Sequence, residues 1–320
     1  MAFPNVSDIV TTSIESRSGI VADNVSKNNA LFARLKQKGK IKKVTGGSKI
    51  YQELSFAENG NAGWYSGYDL LPVAAQDVIT AAEFAFKQLA VPVVISGLEK
   101  LQNSGEEAVL DLLEQRIEVA EKTMENLMAQ GVYSDGTGFG GKQLTGLAAS
   151  ILATPTTGTY GGIDRATWNF WRNQVSAAGA LTAANVQARM NGLWAKCTRG
   201  KDRPDLIIFD NNCWETYLAS LQVLQRFTGT EVGKLGFPSI KYMDADVVLD
   251  GGIGGYQASD VGLFLNTDYL FLRPHADRNM VPLSPGSRSA INQDAEVQIL
   301  AWAGNMTSNG LQFQGYFKGT

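Results

Sequence analysis

Large apolar side chains are sparse over residues 1 to about 25, where Phe3, Ile9, Val10 and Ile20 stand in a polar stretch, so this segment predicts an arm without a core of its own. From Ser26 to Lys38, Leu31, Phe32 and Leu35 recur at helical spacing, which predicts a short amphipathic helix with Ser26 as N-cap and Gly39 as its stop. Residues 49–56 predict a strand, 58–69 a tip rich in glycine and asparagine, and 77–96 a long return strand in which Val78, Thr80, Ala82, Phe84 and Phe86 alternate at period two. Arms of about ten residues, at ~3.4 Å per residue, give a hairpin that projects on the order of 35 Å. A longer helix is predicted from Ser104 to about Gln130, where Val109, Leu112, Leu113, Ile117, Ala120, Met124, Leu127 and Met128 fall on one face. Ser104 is its predicted cap and Gly131 its predicted end.

Beyond a glycine-rich connection at 135–146, helix and strand alternate from about 155 to 270. The pattern predicts a helix at 182–197, a buried strand at 205–209, a helix at 211–227 capped by Asp210 or Asn211, and strands at 261–266 and 269–274, together a second α/β unit. Residues 291–317 give two strand-like stretches joined at Thr307 to Gly310, which reads as a hairpin returning to the first unit. The fold class is therefore α+β. One feature of the pattern demands a cover: the tip carries Trp64, Tyr65, Tyr68, Leu70 and Leu71, and a two-stranded hairpin of this length is marginal alone in water. Either the hairpin folds back on its own domain or it lies on another copy, and the pattern leaves both open.

Composition narrows the classes. With 44% hydrophobic and 18% charged residues in 320, wholesale disorder is excluded, and 34 glycines favour turns and hairpin corners over a helical bundle. A formal net charge of −3 lacks the electrostatic footprint of a sequence-reading nucleic-acid binder, so any contact with DNA is weak and non-specific. Cys197 and Cys213 have neither CxxC spacing nor a nearby histidine and read as core thiols of a reducing compartment. The N-terminus has no signal-peptide pattern and no apolar run reaches membrane-spanning length, which places the product in a cytoplasm, so the triplets at Asn5, Asn24 and Asn305 carry no glycan.

Each catalytic template lacks a member. Residues 136–143 fit GxxxxGK, but a phosphate-binding loop needs a strand before it and a Ser or Thr where Gln143 stands. His275 is the one histidine and reads as a surface or satisfied residue, which excludes a two-histidine metal site. Asp244, Asp246 and Asp250 flank one predicted strand and Asp202, Asp205 and Asp210 another, as strand ends and helix caps commonly do. The basic run Arg34, Lys36, Lys38, Lys40, Lys42 and Lys43 reads first as a solvated face, with nucleic acid or an acidic patch on a neighbouring subunit as the other readings. No catalytic, cofactor or metal residue is assigned.

Several strings carry a resemblance: GGSKIYQELSFAENGNAGWYSGYD, VPVVISGLEKLQNSGEEAVLDLLE, GGIDRATWNFWRNQ, PDLIIFDNN, GKLGF and NQDAEV. Their order over nearly the whole chain resembles the major capsid proteins of tailed bacteriophages, with the HK97-like fold. The resemblance implies an N-terminal arm at 1–40, an extended loop at 41–92, a peripheral domain at 93–154 with a spine helix at 104–130, an axial domain at 155–270, and return strands of the peripheral domain at 271–320. It implies an extended loop that lies over a neighbour, with Trp64, Tyr65, Tyr68, Leu70 and Leu71 as contact residues, and axial domains that meet at five-fold and local six-fold centres. The implied partners are the chain itself in pentamers and hexamers, scaffolding, portal and decoration proteins, and packaged DNA; the implied location is the virion, with assembly in the host cytoplasm. No long helical scaffolding segment precedes the arm, which departs from better-known relatives, and no lysine–asparagine cross-link is indicated. The rival readings are an encapsulin-like compartment shell and a soluble α/β enzyme.

Overall fold

A computed structural model of the chain describes residues 29–102, 106–222, 239–250, 255–283, 288–289 and 294–319. Helix α1 (Ala30–Gln37) is capped by Asn29, whose Oδ1 accepts from the backbone N–H groups of Leu31 and Phe32 at 2.9 and 3.3 Å. Ser26, the predicted cap, lies outside the described residues. Gly39 does stop the helix: at φ +65° it lets Lys40 N–H reach Leu35 O and its own N–H reach Lys36 O, the paired bonds of a Schellman turn. Leu31, Phe32 and Leu35 are fully buried, so this part of the predicted arm is seated in a core.

Strands β1 (Ile50–Ser55) and β2 (Ile79–Phe84) form the expected hairpin, with six residue pairs from Ile50↔Phe84 to Ser55↔Ile79. The predicted long return strand is two strands. The chain leaves the hairpin at Ala85 and Phe86, and β3 (Lys87–Ser96) pairs with a C-terminal strand instead. Burial shows why: Ala82 and Phe84 are buried at even positions, whereas Val91, Val93 and Ile95 are buried at odd ones, so the inward face changes between the two strands. Asn305 fastens the crossing, donating from Nδ2 to Ala85 O at 2.9 Å while its Oδ1 accepts from Thr145 N–H at 3.0 Å.

Ser96 and Glu99 exchange backbone and side-chain hydrogen bonds at the start of α2 (Gly97–Gln102), a capping box. The long helix α3 (Glu106–Tyr133) spans about 42 Å at 1.5 Å per residue. Its predicted cap Ser104 lies outside the described residues. Its buried stripe is Ile117, Ala120, Met124, Met128 and Val132, and it runs through Gly131, the predicted stop, to Tyr133. Gly131 serves packing instead: a Cβ there would sit 3.2 Å from the Cβ of Leu144 on the returning chain. The chain closes in still further at Gly146, where a Cβ would lie 2.2 Å from Val132 O.

The chain then supplies the short strands β4 (Thr159–Tyr160), β5 (Ile163–Asp164) and β6 (Gln174–Val175), followed by α4 (Val186–Cys197), β7 (Leu206–Phe209) and α5 (Asn211–Gln222). Asp210 caps α5, accepting from the N–H groups of Asn212 and Cys213 at 3.2 and 3.1 Å; the predicted extension to residue 227 falls outside the described residues. Strands β8 (Ser239–Tyr242), β9 (Ala245–Leu249), β10 (Val261–Leu265), β11 (Leu270–Pro282), β12 (Arg288–Ser289), β13 (Ala295–Ser308) and β14 (Gly315–Lys318) complete two sheets. One has the order β6-β14-β10-β7-β9-β8; in the other β13 lies among β11, β12 and β3. The predicted C-terminal hairpin is therefore not formed. After β13 pairs with β3 over ten residues, a turn at Leu311–Phe313 carries β14 into the first-named sheet, between β6 and β10.

Strand β7 is buried on both faces, which accounts for its unbroken apolar run. Leu206 and Ile208 face a core shared with α1, α3, β3, β11 and β13, while Ile207 and Phe209 face a second core with α4 and α5. A third, smaller core sits under the hairpin: Ile50, Leu54, Ala82 and Phe84 against Tyr160, Trp171 and Leu311.

Candidate functional site

The root of the hairpin is fixed and its tip is not covered. At the root, Trp171 is fully buried and donates from Nε1 to Tyr160 O at 2.8 Å. Gly161 O accepts from Glu83 N–H at 2.9 Å, and a Cβ on Gly161 would approach Ala82 and Phe84 to 2.9 Å. Phe56, the last residue before the tip, stacks on Phe170 at 5.5 Å and meets Trp168 edge-on at 5.7 Å. Phe56 N–H bonds to Val78 O at 3.1 Å and closes the ladder.

Beyond that bond, residues 57–78 form no strand. Local turns hold them: Ala62 N–H to Asn59 O at 3.1 Å, Ser66 N–H to Asp69 Oδ2 at 2.8 Å, and Asp69 N–H to Ser66 O at 3.1 Å. All five predicted contact residues lie on this segment, and none is buried by its own chain. Trp64, Tyr68 and Leu70 are at 98% exposure or more, and Tyr65 and Leu71 are more than half exposed. Val73, after Pro72 and outside the aromatic run, is a further exposed apolar side chain of the segment, at 91%. Tyr51 and Ile79 extend the exposed apolar surface down the outer face of the ladder. Period-two alternation from the buried Ile50 and Phe84 would have found Tyr51.

The basic run divides: Lys36, Lys42 and Lys43 are exposed, as a solvated face would be, whereas Arg34, Lys38 and Lys40 are partly buried in ion pairs. Arg34 pairs with Asp246 and, at 3.5 Å, with Asp205; Lys38 lies 3.2 Å from Asp205 and 3.0 Å from Asp268; Lys40 lies 3.6 Å from Asp268. The acidic partners belong to the same chain, at the ends of β7 and β9 and in the turn before β11, so α1 is latched electrostatically to the β6–β8 sheet as well as seated apolarly. Asp205 is held ready by Thr267, whose N–H and Oγ1 each donate to it at 2.7 Å. Burial opposes ionisation of Asp268, but the hydrogen bond and charge of Lys38, with Lys40, more than offset it and hold its carboxyl below the usual range. Lys40 and Lys42 also lie over the ring of Phe271 at 5.3 and 5.5 Å.

The remaining candidates take structural places. Residues 136–143 follow a helix and make a turn in which Phe139 and Gly140 have positive φ. Cys197 and Cys213 are buried free thiols, and burial pushes Cys197 up to about 12. His275 Nδ1 accepts from Asp277 N–H at 3.1 Å, and its ring meets Phe86 edge-on. Asp244 pairs with Arg203 at 2.8 Å, and Asp250 accepts from Tyr133 Oη. Among the described residues no three His, Cys, Asp or Glu side chains gather as a metal-ligating group, and no helix is long and apolar enough to cross a membrane.

No protein-family model matches the chain, and no curated protein matches it. Solved structures do. The capsid asymmetric unit of cyanophage A-1(L) superposes with a TM-score of 0.64 at 18% identity, covering 88% of this chain and 91% of that one. The capsid of a native GTA particle follows with a TM-score of 0.61 at 13% identity, covering 89% of each chain. The encapsulin of the holo-SrpI complex from Synechococcus elongatus PCC 7942 gives 0.53 at 7% identity, covering 89% and 87%. At these identities the likeness is one of fold, and the fold is the HK97-like capsid architecture.

Proposed function

We propose that this chain is a major capsid protein of a tailed phage, a structural subunit that associates with copies of itself into a closed icosahedral shell around double-stranded DNA and performs no catalysis. The observation that carries the reading is that a fold shared with phage capsids over 88% of the chain presents, at the end of a rigidly rooted hairpin, a set of large apolar side chains that its own body leaves uncovered. Under this reading residues 41–92 are the extended loop, α3 is the spine helix, and 155–270 is the axial domain, with β14 added to its sheet. Trp64, Tyr65, Tyr68, Leu70 and Leu71 are the contact residues. Each such side chain, once buried against a neighbour, contributes about 1.5–3 kcal/mol by area before the cost of association. Repeated over a shell, contacts of that size suffice.

Partners beyond the chain itself, namely scaffolding, portal and decoration proteins, belong to the same reading, as do location in the virion and assembly in the host cytoplasm. The likeness to an encapsulin supports a second reading, a compartment shell enclosing protein cargo. Electron microscopy of the purified product tests both. Uniform closed particles, with DNA-filled heads in infected cells, fit the capsid reading; shells filled with protein fit the second; a dispersed monomer at high concentration contradicts both.

A further inference from the structure

We propose that Asn59, followed by Gly60, is a self-modifying site: in the folded chain its side-chain amide is converted to a carboxylate through a cyclic imide, with water as the co-reactant. The chain has three Asn-Gly steps, at Asn59, Asn191 and Asn309, and glycine, lacking a Cβ, leaves the following backbone nitrogen least hindered. The structure separates the three. Asn191 lies inside α4, where the Gly192 amide belongs to the helical ladder and Asn191 Oδ1 accepts from Tyr242 Oη. At Asn309 the backbone is pinned on both sides. Asn309 N–H donates to Tyr269 O at 3.1 Å and Gly310 N–H to Ser308 Oγ at 3.4 Å, and Gly310 is packed so closely that a Cβ would lie 2.6 Å from the Tyr269 ring. Neither step has the freedom to bend its side chain onto the main chain.

Asn59 differs in each respect. Both it and Gly60 are exposed, in a segment that forms no strand. Asn59 O accepts from Ala62 N–H at 3.1 Å and its Oδ1 from Asn61 N–H at 2.9 Å, which leaves Gly60 N–H, at the first inner position of the turn, without a hydrogen bond among the described residues. The bond to Oδ1 curls the side chain over the Gly60 peptide and polarises its carbonyl, so Cγ is presented to that nitrogen as a better electrophile. Once base has taken the Gly60 amide proton, the nitrogen attacks Asn59 Cγ; the N–Cγ bond forms, the Cγ–Nδ2 bond breaks and ammonia leaves. Water then opens the imide at either carbonyl, giving an aspartyl or an isoaspartyl residue. Both add a negative charge to residues 57–78, which already carry Glu58, Asp69 and Asp77 and no lysine or arginine. The isoaspartyl form also runs the main chain through the former side chain and so breaks the turn. The site is a property of the folded chain and stands whether or not the chain forms shells.

The test incubates the full chain at mildly alkaline pH in heavy-oxygen water and follows each Asn-Gly peptide by mass spectrometry. In the folded chain Asn59 is expected to react at least tenfold faster than Asn191 or Asn309, with the oxygen label in the new carboxylate and a matching release of ammonia. In guanidinium chloride the three rates are expected to converge, because only the fold tells them apart. Gly60→Ala is expected to slow the reaction at Asn59 at least tenfold at an unchanged melting temperature, since its Cβ would meet only the end of the Gln76 side chain, at 3.3 Å. An Asn59 amide still intact in the folded chain when Asn191 or Asn309 has turned over, or the same spread of rates with and without denaturant, overturns the proposal.

Discussion

Replacing Arg34 with methionine tests whether α1 is latched rather than loosely tethered. The substitution keeps an unbranched apolar stem and removes the guanidinium from between Asp205 and Asp246. The three side chains are 14%, 20% and 16% exposed, which places the pair between a solvent-exposed bridge, worth about 0–1 kcal/mol, and a buried one, whose breaking costs about 3–5 kcal/mol. Asp205 keeps Lys38 and both Thr267 donors, so the loss falls mainly on Asp246. A destabilisation of about 2 kcal/mol follows. Urea unfolding of dissociated subunits, read together with the rate at which trypsin cuts within residues 34–43, gives the measurement. In a double-mutant cycle with Asp246→Asn the coupling is expected to exceed about 1 kcal/mol, since the two groups touch. Added salt is expected to loosen the more exposed Lys38 and Lys40 contacts to Asp268 before the Arg34 pair. A midpoint and a cleavage rate both unchanged, or additive single effects, would refute the latch.

Other outcomes follow from single positions. Gly146→Ala places a methyl group 2.2 Å from Val132 O, so the turn after α3 must shift; a loss of about 1–3 kcal/mol is expected in thermal unfolding, against no change if the approach is slack. Trp171→Ala empties a fully buried site under the hairpin and is expected to cost about 3–5 kcal/mol and to expose residues 50–56 to proteolysis first; uniform cleavage along the chain would contradict the root assigned to it. Burial raises the Asp250 carboxyl above its usual 3.8, against the hydrogen bond from Tyr133. The folded chain therefore holds that proton more tightly than the unfolded one. The associated stability is fully present below the unfolded value and is lost as pH rises through the folded one. Asp250→Asn, which keeps an acceptor for Tyr133, should thus gain melting temperature relative to the parent as pH rises above 3.8; a flat or falling difference would count against it.

Much of this was legible in the chain because local rules dominate where one face is buried. The apolar stripe of α3, the unbroken run of β7, the Gly39 stop and the aromatic tip could each be read from spacing and residue type. What could not be read depends on who meets whom across long sequence distances. Gly131 looks like a helix end until Leu144 is known to press on it. Residues 77–96 look like one strand until the change from even to odd buried positions is set beside β13, which claims only the second half. Likewise the C-terminal stretches alternate as a hairpin would, but Phe317 and Gly315 pack into the core of the other sheet. Arg34, Lys38 and Lys40 look solvated because their aspartate partners lie some 170 to 230 residues away. Exposure of the tip followed from composition only as a question, and the fold answers that its own body does not cover it.

The most direct measurement compares the parent chain with a variant lacking residues 60–69 by sedimentation velocity and electron microscopy at equal concentration. The account predicts that the parent sediments as closed shells while the variant, with the melting temperature of a folded subunit, remains as small species. Full-sized particles from the variant would contradict it.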